Sequence, residues 1–251
     1  MFYLEDSKLY VVKDIVSWYR EACNDPKSKV LPHPTKYRWK SWDNDRLWCS
    51  IFFSIGVKGG SKAARDYIEP IEKGYEDFEL KVFELTPLDT ESRMRKIWEF
   101  GRGKNRLGKA LGRFFSRPEN FGRKNGFERN ITDAFSILEK HGFMDWFYEI
   151  DSYSEDREKA KAMEEFPGVG LKVSRDFLND IGMTDSLIAL DLHVLKEMQE
   201  NWGWSVPSQT PTDRPLYEAI EDGVRNIARR AGATVLEIDK AIYFAHMTGE
   251  Y

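Results

Sequence analysis

Apolar residues recur along this chain at intervals of three and four, the period of helices that bury one face. Leu9, Val12, Val16 and Tyr19 predict a helix over 8–22. Pro26, Pro32 and Pro34 forbid its continuation, so 25–42 reads as a connection with Trp39 and Trp42 tucked against the core. Leu47, Trp48, Ile51, Phe52 and Ile55 predict a strongly apolar helix ended by Gly56, Gly59 and Gly60, and Ser61 can cap the next one through Ile71. Further helices are predicted over 89–100 and around Leu107, Leu111 and Phe114. Asn130 or Thr132 can cap a helix carrying Ile131, Phe135 and Leu138, which Gly142 stops. Met144, Trp146, Phe147 and Ile150 form another apolar patch. Ser154 opens a segment with acidic residues early and lysines later, as the helix dipole favours. Towards the end, 195–202, the pattern Leu216, Ile220, Val224, Ile227 and the pattern Leu236, Ile242, Phe244 predict three more helices. Alternating strand patterns are essentially absent, so the expected fold is all-α with roughly ten helices.

Composition changes this picture little. The 251 residues are 41% hydrophobic and 14% aromatic, enough for a real interior. No apolar run approaches the roughly 18 residues of a membrane span, and the first residues lack the pattern of a secretory signal, so the expectation is a cytoplasmic protein without a membrane partner. Cys23 and Cys49 both fall inside apolar patterns and read as buried small hydrophobes. His33, His141, His193 and His246 are too scattered for a zinc site.

Charge is more informative in its distribution than in its sum of −4. From Arg93 to Arg129 there are 12 Lys and Arg against 3 Glu, while the remainder carries 26 basic against 39 acidic residues. One polyanion-binding face on an otherwise acidic protein would look like this, and so would a solvated charged helix.

Candidate chemistry concentrates in 166–194, FPGVGLKVSRDFLNDIGMTDSLIALDLHV. Gly168 and Gly170 can both take positive φ and allow close approach, so Gly168, Val169, Gly170 and the following helix start form a candidate phosphate site of backbone N–H groups. Lys172 falls in the first turn of that helix, where positive potential disfavours a cation; this favours a neutral, nucleophilic amine with a depressed pKa. Asp191 follows the apolar run LIAL, 19 positions after Lys172. It reads as the N-cap of the next helix, a role compatible with catalysis because a cap fixes the side chain. His193 is either a satisfied polar residue or a phosphate contact.

G-V-G-x-K followed by L-D-x-H resembles the helix-hairpin-helix base-excision DNA glycosylases, the superfamily of endonuclease III and the 8-oxoguanine glycosylases. Within it the chain looks most like the archaeal type 2 8-oxoguanine DNA glycosylase/AP lyases, over roughly the last 90 residues and more faintly in LWCSIFFSIGVKGGSKAARDYI and GRGKNRLGKAL. The resemblance implies a two-lobed fold: a helical barrel domain over 46–190, a second domain from 1–45 plus 191–251, and an active site in the cleft between them. It implies Lys172 as the nucleophile that expels a base and leaves a Schiff base for β-elimination, with Asp191 assisting and stabilising positive charge on the sugar. The implied partner is double-stranded DNA carrying a damaged base, bound by a monomer with the base flipped out. Phosphate contacts are assigned to the turn, His193, Arg102, Lys104 and Arg106, and the base pocket to Phe177, Asp239, Tyr243 and Tyr251.

Two departures stand out. The four cysteines of the iron–sulfur branch are missing, so no cluster is expected; a monovalent cation at the hairpin would be the sole small-ion candidate. The chain ends in Thr248, Gly249, Glu250 and Tyr251 where those relatives end in a lysine, and Tyr243 takes the place of a tryptophan. The resemblance makes the reading an 8-oxoguanine glycosylase/lyase, and the altered end bears on which base is accepted. Its alternatives are a glycosylase for another lesion or base and a non-catalytic helix-hairpin-helix DNA-binding protein.

Overall fold

In the computed structural model the described residues are Phe2, 4–42, Leu47, Ser50, Ile51, Ser54, Ile55, Asn130, Asp133, Ala134, Ile137, Leu138, 140–249 and Tyr251. Among them there is no strand, and the architecture is all-α as expected. No helix among them is long and apolar enough to cross a membrane. Arg102, Lys104, Arg106, Cys49, the Ser61 cap and the helices expected over 61–71, 89–100 and around 107–114 lie outside the described residues.

The chain divides into two units: Met1–Lys40, Glu155–Ala160 and Leu171–Tyr251 in the first, Ser41–Ser154 and Lys161–Gly170 in the second. Residues 171–190, grouped by sequence with 46–190, pack in the first unit. The reason is a set of polar ties from this segment to the C-terminal helices, described below.

In the first unit, α1 (Leu9–Asn24) buries Val12, Ile15, Val16 and Tyr19 on one face, as its periodicity requires. In chain order α2 (Phe143–Asp151) belongs to the second unit, while α3 (Asp156–Met163) begins in the first. Then come α4 (Leu171–Asp180), α5 (Leu192–Glu200), α6 (Arg214–Ala231) and α7 (Val235–Thr248). One apolar cluster joins α1, the non-helical residues Ile188 and Leu190, and helices α5, α6 and α7. Each fully buried aliphatic side chain in it contributes about 1.5–3 kcal/mol relative to exposure.

Capping fixes where these helices start and stop. Asp213 accepts the Leu216 N–H and Pro215 stands in the first turn of α6, which Gly232 ends in the left-handed region. Thr234 and Glu237 form a reciprocal capping box at the start of α7, and Arg20 of α1 ties to Glu237 at 2.8 Å. Behind α4, Gly182 takes φ +72°, and a Cβ there would stand 2.2 Å from the Thr35 carbonyl oxygen. That close approach lets Tyr37 and Trp39 donate their N–H groups to the Gly182 and Ile181 carbonyls, docking the proline-rich connection.

Glu221, wholly buried on α6, is the junction of this unit. It accepts from Arg157 Nε of α3 at 2.7 Å and from Arg175 Nε of α4 at 3.1 Å; Arg225 Nη2 stands 3.6 Å away. The Arg175 guanidinium, also buried, lies 4.6 Å from the Tyr217 ring centre and donates to the Leu171 carbonyl at 3.0 Å.

In the second unit, Leu47, Ile51, Ile55, Ala134 and Leu138 are buried helical residues. Helix α2 buries Trp146, Phe147 and Ile150, and the Trp146 ring meets Phe166 edge-on with centres 4.4 Å apart.

Substituting Glu221→Gln keeps the shape but strands the Arg175 charge in the interior. The expected loss is about 3–5 kcal/mol of unfolding free energy in guanidinium titrations at pH 7. A loss below about 1 kcal/mol would mean that the pair does not hold the unit together.

Candidate active site

The turn before α4 is built by Phe166, Pro167, Gly168 and Val169. Val169 donates its N–H to the Phe166 carbonyl at 3.0 Å, with Pro167 and Gly168 as the central pair and Gly168 at φ +87°. A φ of that sign after proline marks the type II turn and requires glycine. Gly170 is different: its φ is not positive, it is exposed, and a Cβ there would meet nothing within 4 Å. The expectation that both glycines use positive φ is thus corrected to Gly168 alone. The Val169 amide is also consumed inside the turn, so the amides left for an anion are those that open α4.

Helix α4 is two-faced. Ser174, Arg175, Phe177, Leu178 and Asn179 are buried, while Lys172, Asp176 and Asp180, spaced by four, form the other stripe. Lys172 Nζ donates to Asp176 Oδ2 at 2.5 Å, and Lys240 Nζ of α7 donates to Asp180 Oδ1 at 2.8 Å.

Asp191 arrives by a different route. Residues 187–190 are buried outside any helix, and side chains satisfy most of their backbone groups. Asn179 donates to the Leu187 carbonyl, and the Tyr217 hydroxyl donates to Ile188 O while accepting from Leu190 N–H. Thr210 donates to Leu190 O, and Ile188 N–H reaches Glu221 at 3.4 Å. Held in this way, Asp191 caps α5 as the sequence predicted, its Oδ1 accepting the Val194 N–H at 2.9 Å.

Helix α7 adds the third side. Asp239, Tyr243 and His246 follow one another at i, i+4 and i+7. Asp239 is 5% exposed, with no hydrogen bond among the described residues. Burial pushes its carboxyl up to about 8, Lys240 opposes this, and Asp176 and Asp191 reinforce it. The His193 ring, half-buried at the start of α5, lies 6.3 Å from Tyr243 and 5.4 Å from His246.

Lys172 reverses one expectation. Burial favours the neutral amine, but the charge and hydrogen bond of Asp176 and the fields of Asp191 and Asp239 outweigh it, so the pKa is raised. The magnitudes agree: two unit charges 4 Å apart at an effective dielectric of about 20 attract by about 4 kcal/mol, against about 0.3–1 kcal/mol for a charge at a helix end. The same lysine, with Lys240, holds Asp176 below its usual value in spite of burial.

Lys172, Asp191 and Asp239 therefore act on one another in a single site, with Tyr243 in the same field. Two other expected base-pocket residues stand differently. Phe177 is buried at 1% exposure, and Tyr251 is largely exposed with its ring 5.5 Å from Trp18 of α1. Sequence reasoning missed Asp176, Asp180 and Lys240. The signal for the first two was the spacing of four from Lys172, which puts them on its face of α4. Among the described residues no group of His, Cys, Asp and Glu could hold a metal ion.

Neither a protein-family model nor a curated protein sequence matches the chain. Solved structures do match. The Methanocaldococcus jannaschii 8-oxoguanine DNA glycosylase superposes with a TM-score of 0.60 at 16% identity, over 98% of this chain and 97% of that one. The 8-oxoguanine glycosylase/lyase of the same organism, in complex with a 15mer DNA containing 8-oxoguanine, gives 0.58 at 18% identity over 97% of both chains. The chain shares the all-α fold of these proteins.

The Asp239 carboxyl predicts a pH signature. Unfolded, it titrates near 3.9; folded, near 8. Between those values the folded state keeps a proton that the unfolded state has released, so stability falls as pH climbs from about 4 to about 8. Asp239→Asn removes the penalty. In guanidinium titrations the variant should gain on the parent progressively from pH 5 to pH 9, by up to about 5 kcal/mol. Parallel curves for the two proteins would show that Asp239 ionises normally.

Proposed function

We propose that this protein is a bifunctional DNA glycosylase/AP lyase that excises 8-oxoguanine from double-stranded DNA. The observation that carries the reading is that Lys172, at the start of the helix after the Gly168 turn, lies in the field of the capped Asp191, in a fold shared with 8-oxoguanine glycosylase/lyases. In this reading Lys172 Nζ attacks C1′ of a flipped nucleotide, the base departs, and the Schiff base that follows permits β-elimination of the 3′ phosphate. In the same reading Asp191 supplies the fixed negative charge that stabilises the positive charge developing on the sugar. The amides opening α4, with His193, receive backbone phosphates, and Tyr243 offers a partly exposed aromatic face to the base. The protein would work as a monomer in the cytoplasm, bound to the chromosome.

Borohydride reduction during turnover tests the nucleophile. Wild-type protein should form a covalent adduct with duplexes carrying 8-oxoguanine or an abasic site, and Lys172→Gln should form none. An adduct of normal yield in that variant would sink the assignment. Duplexes with 8-oxoguanine, thymine glycol, uracil or only normal bases test the substrate: release of a base other than 8-oxoguanine would move the protein to another lesion.

Asp191→Asn separates capping from chemistry, because asparagine caps as well as aspartate. Thermal stability should stay within about 1 kcal/mol of the parent while single-turnover base release falls by about a hundredfold or more. Unchanged release would confine Asp191 to its structural role.

A further inference from the structure

The glycosylase/lyase reading leaves open which group relieves Lys172 of its proton, and the first acidic residue to consider, Asp191, is poorly placed for it. One oxygen of Asp191 is committed to the Val194 N–H, and Lys172 Nζ makes its hydrogen bond elsewhere, to Asp176 Oδ2 at 2.5 Å. We propose that Asp176 is the proton acceptor of the reaction, and that Asp191 serves only the charge on the sugar. This rests on the reading of Lys172 as the nucleophile.

Three features of the site support the division. Asp176 lies one helical turn beyond Lys172 on the same face of α4, so the backbone itself keeps the two side chains within reach. Both are half-buried, with the Lys172 side chain 28% and the Asp176 side chain 33% exposed, so a nucleotide seated over them displaces the remaining water. Removing water disfavours the ammonium–carboxylate form relative to the neutral amine and acid, which is the direction the reaction needs. The groups that face the pair are Asp191 at the cap of α5 and Asp239, Lys240 and Tyr243 on α7, with Asp180 on α4 itself. Lys240 holds Asp180 by a hydrogen bond of 2.8 Å, leaving Asp176 to Lys172.

The step balances without any further reactant. A proton passes from Lys172 Nζ to Asp176 Oδ2, and the freed lone pair forms the N–C1′ bond. The C1′–N bond to the base breaks with its electron pair on the base, and the positive charge of the ammonium reappears on the nitrogen now joined to the sugar. The proton held by Asp176 then neutralises the departing base anion.

The test measures single-turnover borohydride trapping on DNA with a preformed abasic site, from pH 6 to pH 10, for the wild type, Asp176→Asn and Asp176→Glu. If Asp176 takes the proton, the Asn variant traps about a hundredfold more slowly at pH 7. It also recovers as pH rises, by about tenfold per unit, because hydroxide replaces the missing base. The Glu variant restores much of the neutral-pH rate, and all three bind the DNA equally. The opposite result is equally readable. Loss of Asp176 lowers the Lys172 pKa, so a pair that merely holds the lysine charged would make the Asn variant trap faster at pH 7. Faster or unchanged trapping, with the wild type active, overturns this inference alone. A wild type that traps nothing removes the glycosylase/lyase reading and this inference with it.

Discussion

One buried carboxylate governs the first unit. Glu221 takes guanidinium hydrogen bonds from Arg157 on α3 and Arg175 on α4 and lies within reach of the Ile188 amide, so three separate stretches of chain converge on a single side chain of α6. Such a group is costly to bury, and a well-packed apolar substitute is often as stable. What an apolar substitute would not supply is direction. Arg175 fixes the rotation of α4 about its axis, because its guanidinium must meet both Glu221 and the Leu171 carbonyl. That rotation sends Lys172 and Asp176 to the opposite face. The Glu221 carboxylate and the Tyr217 hydroxyl fix the buried segment that ends at Asp191. The proposed nucleophile and its carboxylate partner are thus both positioned from α6, although neither belongs to it.

The site so built is rich in negative charge. Asp176, Asp180, Asp191 and Asp239 surround Lys172 and Lys240, and the two lysines do not balance them. The strain is relieved by protonation: burial and its neighbours push Asp239 up to about 8, so at neutral pH it is mostly the uncharged acid. A surplus of fixed negative charge suits a reaction that passes through a positively charged sugar, and it is poorly suited to holding a neutral amine. These demands conflict at Lys172, whose pKa goes up. Lys172 is therefore held as an ammonium at rest, and under the proposed reading the nucleophile has to be generated when substrate enters.

The fold was legible because its local signals agree with one another. The stripe of Val12, Val16 and Tyr19 and the cap at Asp191 each speak for a helix face or end on their own. Lys172 and Asp191 could be paired from spacing in a recognised pattern. What spacing could not give was the sign of the Lys172 shift, because it depends on Asp191 and Asp239, which reach the lysine only through tertiary packing. The boundary between units escaped for a similar reason. Residues 171–190 are adjacent in sequence to the turn, yet Arg175 and Asn179 bind them to the first unit. The two glycines of the turn looked equivalent on paper, and only the Val169–Phe166 hydrogen bond distinguishes them.

The parts of the site differ in how firmly they are held, and under the proposed reading the difference separates reaction from substrate. Asp191 is fixed by a cap and by a buried segment whose backbone groups are held by Asn179, Tyr217 and Thr210, and Lys172 by the rotation of a helix anchored on a buried ion pair. Breaking that ion pair costs about 3–5 kcal/mol, so Lys172 cannot drift without loss of the unit. Tyr243 and Tyr251 have no such supports. The first is 38% exposed on α7 beside the His193 ring, and the second rests on Trp18 with more than half its surface free. An exposed aromatic can be exchanged at a cost of a few tenths of a kcal/mol, because little packing depends on it. Under the proposed reading, a fold of this kind can therefore keep one reaction while substitution of an exposed aromatic on α7 changes the base it accepts.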